Sequence, residues 1–213
     1  ILIINRSELL NCFQQIFVLA FRPQAMAGGV AGVTVKTAMR FGVARGLFSN
    51  EAGMGSTPHA HALAKVKHPQ EQGVIAMMGV FIDTFVILTL TALVILSSGT
   101  LASGEEGTAL AQLAFNQAFG AFGNIFIAIC MLFFAFSTII GWYFFGQVNV
   151  KALLGEKAVR VYSVIVVLFV VVGSALKVDL VWNLSDLFNG LMVIPNLIAL
   201  LALSGLVARI SKE

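Results

Sequence analysis

Four long apolar stretches limit what this chain can fold into. They cover residues 73–97, 120–146, 161–176 and 180–207, and they approach or exceed the ~20 residues that an α-helix needs to cross a bilayer. Hydrophobic residues make up 59% of the chain and charged residues only 11%, whereas soluble domains carry about 25% charged residues. A chain this apolar cannot cover a surface that faces water. We therefore predict an all-α integral membrane protein.

A fifth stretch, residues 8–48, is predicted to be a membrane helix that is broken near its middle. Pro23 lacks a backbone N–H and clashes with the preceding turn, while Gly28 and Gly29 tolerate non-helical dihedral angles. Such a break is tolerated in a bilayer only where it is buried in protein or lines a watery cavity, and in transporters it binds substrates and ions. The alternative is a proline kink with close glycine packing.

The broken helix would offer several groups to a ligand. The half that follows the break would present free N–H groups and a positive dipole end, and the half before it would present free carbonyls. Phe21 could contact the apolar part of a ligand, and Gln24 could donate or accept a hydrogen bond. The charge of Arg22 costs several kcal/mol at mid-bilayer unless it is solvated or paired, so this end is expected to face water or a carboxylate.

The basic residues alternate from side to side along the chain. Lys and Arg follow the first, third and fifth stretches and are nearly absent after the second and fourth. The positive-inside rule then predicts five crossings, with the start outside, residues 49–72 as a cytoplasmic loop and the C-terminus in the cytoplasm. This placement, rather than a nucleic-acid partner, explains the net charge of +3. Residues 97–109 and 147–160 are predicted to be loops, with a short interfacial helix over 112–119.

Polar side chains inside the apolar stretches are candidates for ion binding. The adjacent hydroxyls of Ser137 and Thr138 could ligate Na⁺, although bonding back to a carbonyl of the preceding turn is the commoner arrangement. Trp142 lies one turn beyond Thr138 and could be an interfacial anchor. Asp83, deep in a span, is either a proton or cation relay or a structural acid.

No motif in the sequence indicates an enzyme or a tightly bound cofactor. His59 and His61 do not have the spacing of a zinc site. Cys12 and Cys130 lie in apolar surroundings and are interpreted as small hydrophobic residues. A nucleophile elbow and a phosphate-binding loop are also missing.

Four motifs carry a family resemblance. Motif 1 is residues 45–56 (RGLFSNEAGMGS), followed by Pro58 and 60–62 (AHA); motif 2 is 79–85 (GVFIDTF); motif 3 is 136–142 (FSTIIGW); motif 4 is 186–192 (DLFNGLM) with 194–196 (IPN). In these motifs the chain resembles the alanine/glycine:cation symporter family, the sodium:alanine symporters. The resemblance implies a leucine-transporter-like fold of two inverted five-helix repeats. This chain is similar to the second repeat, beginning with its discontinuous helix, and the missing N-terminal repeat would be its partner.

The resemblance also implies roles for individual residues. The stretch around the break is similar to the family's substrate wall, Ser137 and Thr138 to a hydroxyl pair that completes a Na⁺ site, and Trp142 to a residue at the border of the substrate pocket. The predicted substrate-binding residues are Phe21, Gln24, Ala25, Gly28, Gly29, Thr138 and Trp142.

The expected function is cation-coupled symport of small neutral amino acids by alternating access in the cell (inner) membrane. Alanine or glycine would be the substrate, and Na⁺, or alternatively H⁺, the coupling ion. The small volume near Ala25, Gly28 and Trp142 would exclude long side chains. A membrane channel and a non-transporting scaffold or sensor are the alternative functions, and an enzyme is not expected.

Overall fold

A computed structural model of the chain describes residues 1–21 and 35–211, and the regular elements in these ranges are helical. The helices in chain order are α1 (Leu9–Phe21), α2 (Val35–Asn50), α3 (Pro58–His61), α4 (Pro69–Phe81), a π-helical segment (Ile82–Ile87), α5 (Leu88–Ser97), a 3₁₀ turn (Thr100–Ser103), α6 (Gly107–Phe119), α7 (Ala121–Leu154), α8 (Glu156–Ala175) and α9 (Val178–Ile210).

Four helical stretches in the described ranges are long and apolar enough to cross a membrane. They are Pro69–Ser97, which joins α4, the π segment and α5, together with α7, α8 and α9. Their surfaces expose large apolar side chains, such as Phe133 at 67% and Phe169 at 70%. Because a surface of this kind is stable only against lipid or further protein, these helices are those of a multi-pass membrane protein.

The first predicted crossing, residues 8–48, contains α1 and most of α2. The break predicted around Pro23, Gly28 and Gly29 falls in residues 22–34, which lie outside the described part of the chain. The discontinuous helix therefore stays a prediction.

The predicted loop over residues 147–160 is wrong. Helix α7 continues to Leu154, and α8 begins at Glu156 after the single residue Gly155, whose φ is +83°. Hydropathy marks only the part of a helix inside the hydrocarbon, but the backbone hydrogen bonds of a helix continue unchanged into water. A salt bridge of 2.7 Å between Lys151 Nζ and Glu156 Oε2 spans the turn.

The predicted loop over residues 97–109 is shorter than expected. It runs from 98 to 106 and contains the 3₁₀ turn, and the predicted interfacial helix begins earlier, at Gly107. The hydroxyl of Thr100 is buried and lies 2.9 Å from the hydroxyl of Ser98, which holds the turn together. The predicted cytoplasmic loop 49–72 contains α3 and the first residues of α4.

The chain divides into two compact units. The first unit comprises the described residues of 1–43 and 81–136. Within it, α1 and α6 both pack against α5. Asn5 Nδ2 donates a hydrogen bond of 3.1 Å to the carbonyl of Ser97. The rings of Phe115 on α6 and Phe126 on α7 stack with their centroids 5.5 Å apart.

Asp83, the acid predicted to be a relay or a structural group, lies in the π-helical segment of this unit. The N–H of Leu88 donates to the carbonyl of Asp83, five residues back, rather than four as in an α-helix. Single π-turns occur frequently at functional sites. The role of Asp83 remains a prediction.

The second unit comprises residues 44–80 and the described residues of 137–213. It contains the end of α2, α3, α4, the second half of α7, α8 and α9. Pro195 lies inside α9, where it has no N–H to give to the carbonyl of Leu191. Motif 1, Trp142 of motif 3, and motif 4 all belong to this unit.

Candidate functional site

The end of motif 1 forms a tight turn directly after α2. Three of its residues have positive φ angles: Glu51 at 51°, Gly53 at 89° and Gly55 at 84°. Glycine adopts this conformation without steric cost, and for Glu51 it is unusual. The Ser56 hydroxyl donates a 2.6 Å hydrogen bond to Glu51 Oε2, and Met54 and Ser56 are each only 1% exposed. Residues 51–56 are therefore a folded element, which we call the motif 1 turn.

Helix α9 contacts the motif 1 turn directly through Asn196. Asn196 Nδ2 donates a 2.9 Å hydrogen bond to the carbonyl of Gly53. A Cβ added at Gly55 would lie 3.0 Å from the Cγ and Oδ1 atoms of Asn196, so the approach needs a residue without a side chain. Asn196 follows Pro195, where the α9 backbone already lacks one hydrogen bond. The contact joins motif 1 to motif 4.

An ion pair makes a second connection between these two motifs. Arg45 Nη1 donates to Asp186 Oδ1 at 2.6 Å, and the two side chains are about one third exposed. The guanidinium also lies 3.9 Å from the ring centroid of Trp182, a cation–π distance. Phe48 meets the same ring edge-on at 5.4 Å. The end of α2 is thus attached to the first turns of α9 by charge and by aromatic packing.

His59 connects the motif 1 turn to α7. Its Nδ1 lies 2.8 Å from the carbonyl of Ser56, and its Nε2 lies 3.0 Å from Asn149 Nδ2. A carbonyl accepts and an amide nitrogen donates, so this geometry suits the neutral imidazole with its proton on Nδ1. Asn149 Nδ2 also donates to the carbonyl of Phe145 at 2.8 Å, which fixes the orientation of the amide.

The motif 1 turn, His59 and parts of α7, α8 and α9 line an open cavity of about 540 Å³ in the second unit. That volume lies in the range of small-molecule sites, which is about 300–1,000 Å³. The polar lining residues are Ser56, His59, Asn149, Tyr162 and Asn196, and the aromatic ones include Trp142 and Phe145. The lining therefore combines hydrogen-bonding groups with an aromatic wall, and we call it the motif cavity.

One wall of the motif cavity depends on a small residue of α7. A Cβ at Gly146 would overlap the hydroxyl of Tyr162 and would lie 2.6 Å from its Cζ. Tyr162 stacks on Tyr143 with ring centroids 5.6 Å apart, and the Tyr143 hydroxyl lies 2.7 Å from that of Ser163. The glycine thus allows α8 to place an aromatic ring against α7.

The predicted site residues are distributed over both units and the undescribed segment. Phe21 is the last residue of α1, and the structure does not describe its side chain. Gln24, Ala25, Gly28 and Gly29 lie outside the described part of the chain. Ser137 and Thr138 lie on α7, where Thr138 is exposed. Trp142 lines the motif cavity, and neither hydroxyl residue does so. Among the described residues no group of three or more His, Cys, Asp and Glu side chains could hold a metal ion.

Several residues of the site were not found from the sequence. Asp186, Asn196 and Arg45 were noted only as members of motifs 1 and 4. Two signals were available: an acid in the first turns of a span needs a partner, and an amide beside a mid-span proline can satisfy backbone groups. Asn149 and Tyr162 gave no such signal, because their roles arise only from neighbours that are distant in sequence.

The contact between Gly55 and Asn196 can be tested by replacing the glycine. Gly55→Ala adds a methyl group against Asn196 and also forces alanine to a φ of +84°. Gly53→Ala is the matched control, because its φ is +89° but no atom lies within 4 Å of the added Cβ. Strain alone costs about 1–3 kcal/mol at either position. We expect Gly55→Ala to lower the melting temperature of the purified protein clearly more than Gly53→Ala, and equal shifts would contradict the contact.

The fold and the site together define a class: a multi-pass helical membrane protein with a cavity lined by hydrogen-bonding and aromatic side chains. Comparison with known proteins gives the family. The profile of the sodium:alanine symporter family matches residues 1–213, and the chain belongs to that family.

Three relatives illustrate the similarity. The sodium/alanine symporter AgcS of Methanococcus maripaludis is 40% identical over 216 residues, covering 100% of this chain and 47% of that protein. The amino-acid carrier protein AlsT of Bacillus subtilis is 41% identical over 191 residues, covering 89% and 40%. The probable sodium/glutamine symporter GlnT of Bacillus subtilis is 43% identical over 211 residues, covering 98% and 43%. The chain thus spans about half the length of these relatives.

Proposed function

We propose that the chain is the C-terminal half of a Na⁺-coupled symporter that carries small neutral amino acids by alternating access. The observation that supports this most is the meeting of motifs 1, 3 and 4 of the family at one cavity, which Trp142 borders. In the proposed fold, this half is the second of two inverted repeats, and the first repeat supplies the other wall of the substrate site.

The substrate would bind at the break of the first helix. Phe21, Gln24, Ala25, Gly28 and Gly29 would form this side of the site, with the ammonium group of the ligand near free carbonyls and the carboxylate near free N–H groups. A small volume near Ala25, Gly28 and Trp142 would exclude long side chains and favour alanine or glycine. The name of GlnT includes glutamine, a larger substrate. Uptake of glutamine therefore belongs in the test of selectivity.

Na⁺ would be bound with the help of Ser137 and Thr138. Consecutive residues leave a helix about 100° apart, since a turn holds 3.6 residues. The two hydroxyls can therefore contact the same ion only if the ion lies between the two directions in which these side chains leave the helix. Other oxygen atoms must complete the coordination shell of the ion. Those oxygens would come from the first repeat, outside this chain.

In the proposed topology the protein lies in the cell membrane, with Ile1 outside and the C-terminus in the cytoplasm. A hydrogen bond of 2.7 Å from Gln70 Nε2 to the carbonyl of Ile210 supports part of this arrangement. It places the start of α4 and the end of α9 at the same end of the second unit. Basic residues gather there, as the positive-inside rule requires of a cytoplasmic end.

The proposal is tested by reconstituting the full-length protein into vesicles and measuring the uptake of alanine, glycine and glutamine. An inward Na⁺ gradient, a K⁺ gradient and a proton gradient are compared. We expect concentrative alanine uptake with Na⁺ only. Uptake that follows the proton gradient would overturn Na⁺ coupling, and uptake that never exceeds the outside concentration would indicate a channel. Binding without any flux would indicate a scaffold or sensor.

Thr138→Val tests the ion site, because valine keeps the shape of threonine and removes its hydroxyl. We expect the Na⁺ concentration for half-maximal uptake to rise about tenfold, the change that corresponds to a loss of ~1.4 kcal/mol in ion binding. Thr91→Val is the control, since the Thr91 hydroxyl donates to the carbonyl of Ile87 at 2.9 Å within its own helix. An unchanged Na⁺ dependence in Thr138→Val would remove Thr138 from the proposed ligands.

A further inference from the structure

A second cavity of the second unit differs in character from the motif cavity. It has a volume of about 660 Å³ and lies between the segment that follows α3 and the first two turns of α4. Its lining joins small apolar residues to three groups that can donate hydrogen bonds: His61, Lys67 and Gln72. The described lining contains no carboxylate. We call it the basic pocket.

The hydrogen bonds of the basic pocket leave its donors available for an anion. Gln72 Nε2 lies 2.8 Å from His61 Nδ1. The amide nitrogen donates here, so Nδ1 accepts and the proton of the neutral imidazole is on Nε2. That N–H, the second N–H of the Gln72 amide and the ammonium group of Lys67 are three donors, and one of them carries a full positive charge.

The position of the pocket along its membrane helix matches the depth of lipid head groups. The stretch Pro69–Ser97 has 29 residues, and at 1.5 Å per residue it is about 43 Å long, against a hydrocarbon core of about 30 Å. Because Gln70, Glu71 and Gln72 are polar, the excess length falls at the start of α4, and the first turns of α4, which line the pocket, extend beyond the core into the interface. The N-terminal end of a helix also carries the positive end of its dipole.

The surroundings of the pocket are basic as well. Lys65 and His68 are exposed in the segment between α3 and α4. The bond between Gln70 and the carbonyl of Ile210 brings the last turn of α9, with Arg209, to the same end. One acid, Glu71, lies in the first turn of α4. The cations outnumber it and favour a membrane leaflet that is rich in anionic lipid.

From this combination we propose that the basic pocket binds the phosphate group of an anionic phospholipid, such as phosphatidylglycerol. The phosphate oxygens accept from Lys67, His61 and Gln72. The apolar residues Ala62, Ala64 and Val66 contact the glycerol and the first methylenes of the acyl chains. A lipid is favoured over a free anion because apolar walls and cationic donors share one pocket at interfacial depth.

The proposal is tested with full-length protein in nanodiscs of phosphatidylcholine, alone or with a fifth of the lipid replaced by phosphatidylglycerol. Native mass spectrometry counts retained lipid for the wild type and for Lys67→Gln and Lys157→Gln. Lys157 is the matched control, because it is exposed at the start of α8 and does not line the pocket. We expect Lys67→Gln to weaken phosphatidylglycerol retention about fivefold, the worth of one basic residue near a membrane surface, and Lys157→Gln to leave it unchanged.

Three outcomes would overturn the proposal. Equal losses in Lys67→Gln and Lys157→Gln would mean diffuse attraction rather than a pocket. Equal retention of phosphatidylcholine would remove the preference for an anionic lipid. Displacement of the lipid by millimolar inorganic phosphate would identify a site for free anions. A Gln72→Ala variant gives a second measurement if Lys67→Gln does not fold, and it too is expected to retain less phosphatidylglycerol. The measurement needs no transport, so its result is independent of the proposed symport.

Discussion

Gly123→Ala is expected to destabilise the first unit strongly. A Cβ at this position would overlap the carbonyl oxygen of Phe115 and would lie 2.8 Å from the backbone nitrogen of Asn116. These are backbone atoms of α6, so no rotamer change can relieve the contact. Helices α6 and α7 would have to separate, and the stacking of Phe115 on Phe126 would be lost with them. Overpacking costs about 1–3 kcal/mol, and occasionally more.

A loss of stability in Gly123→Ala would be due to the close contact, because alanine is a better helix former than glycine. In an exposed helix interior the same substitution stabilises by about 1 kcal/mol. Gly205→Ala on α9 is the matched control, since no atom lies within 4 Å of its added Cβ. We expect Gly123→Ala to lower the melting temperature in detergent and Gly205→Ala to leave it unchanged or raise it. A stabilised Gly123→Ala protein would contradict the close approach of α6 and α7.

Breaking the ion pair between Arg45 and Asp186 is the second large effect that we expect. Removing Asp186 leaves the Arg45 guanidinium over the Trp182 ring without its counter-ion, and removing Arg45 leaves the Asp186 carboxylate without this cation. Such a loss costs 3–5 kcal/mol when the pair is fully buried and about 0–1 kcal/mol when it is exposed. Because both side chains are about one third exposed, we expect roughly 1–3 kcal/mol for Arg45→Ala or Asp186→Ala.

A double-mutant cycle separates the pair itself from the other contacts of each residue. Arg45→Ala, Asp186→Ala and the double variant are compared by thermal unfolding, and a coupling energy of about 1–2 kcal/mol is expected. The pair of Lys151 and Glu156 is the control: its distance of 2.7 Å is similar, but its side chains are 58% and 74% exposed. Its coupling should not exceed about 0.5 kcal/mol. Equal couplings in the two cycles would show that burial does not strengthen the Arg45 pair.

Hydropathy located the membrane helices well because the signal is local. A run of apolar residues must lie in the hydrocarbon wherever the rest of the chain goes, and each of the four predicted stretches overlaps a helix that can span a membrane. The same signal failed over residues 147–160, where α7 and α8 extend into polar sequence. A helix continues as long as its backbone N–H and C=O groups form hydrogen bonds. Here the helical backbone is interrupted at Gly155, which has a positive φ.

For the candidate site, the family resemblance predicted that Trp142 borders the substrate pocket. Trp142 lines the motif cavity, and its role in substrate binding stays a prediction. Its partners Tyr162 and Asn149 were not expected, since their neighbours come from other helices. The roles proposed for the residues at the break and for Ser137 and Thr138 remain predictions from the family resemblance.

The sequence by itself determined the membrane class, the four long helices and the family. The length of an apolar stretch and the residues of a motif can be read without knowing which distant residues are in contact. Only the tertiary structure decided which motifs meet. Asn196 and Gly53 are 143 residues apart in the chain, and Arg45 and Asp186 are 141 apart. A hydrogen bond needs its two heavy atoms within about 3 Å and a salt bridge within about 4 Å, so the packing of the helices, which no local pattern encodes, brings these side chains together.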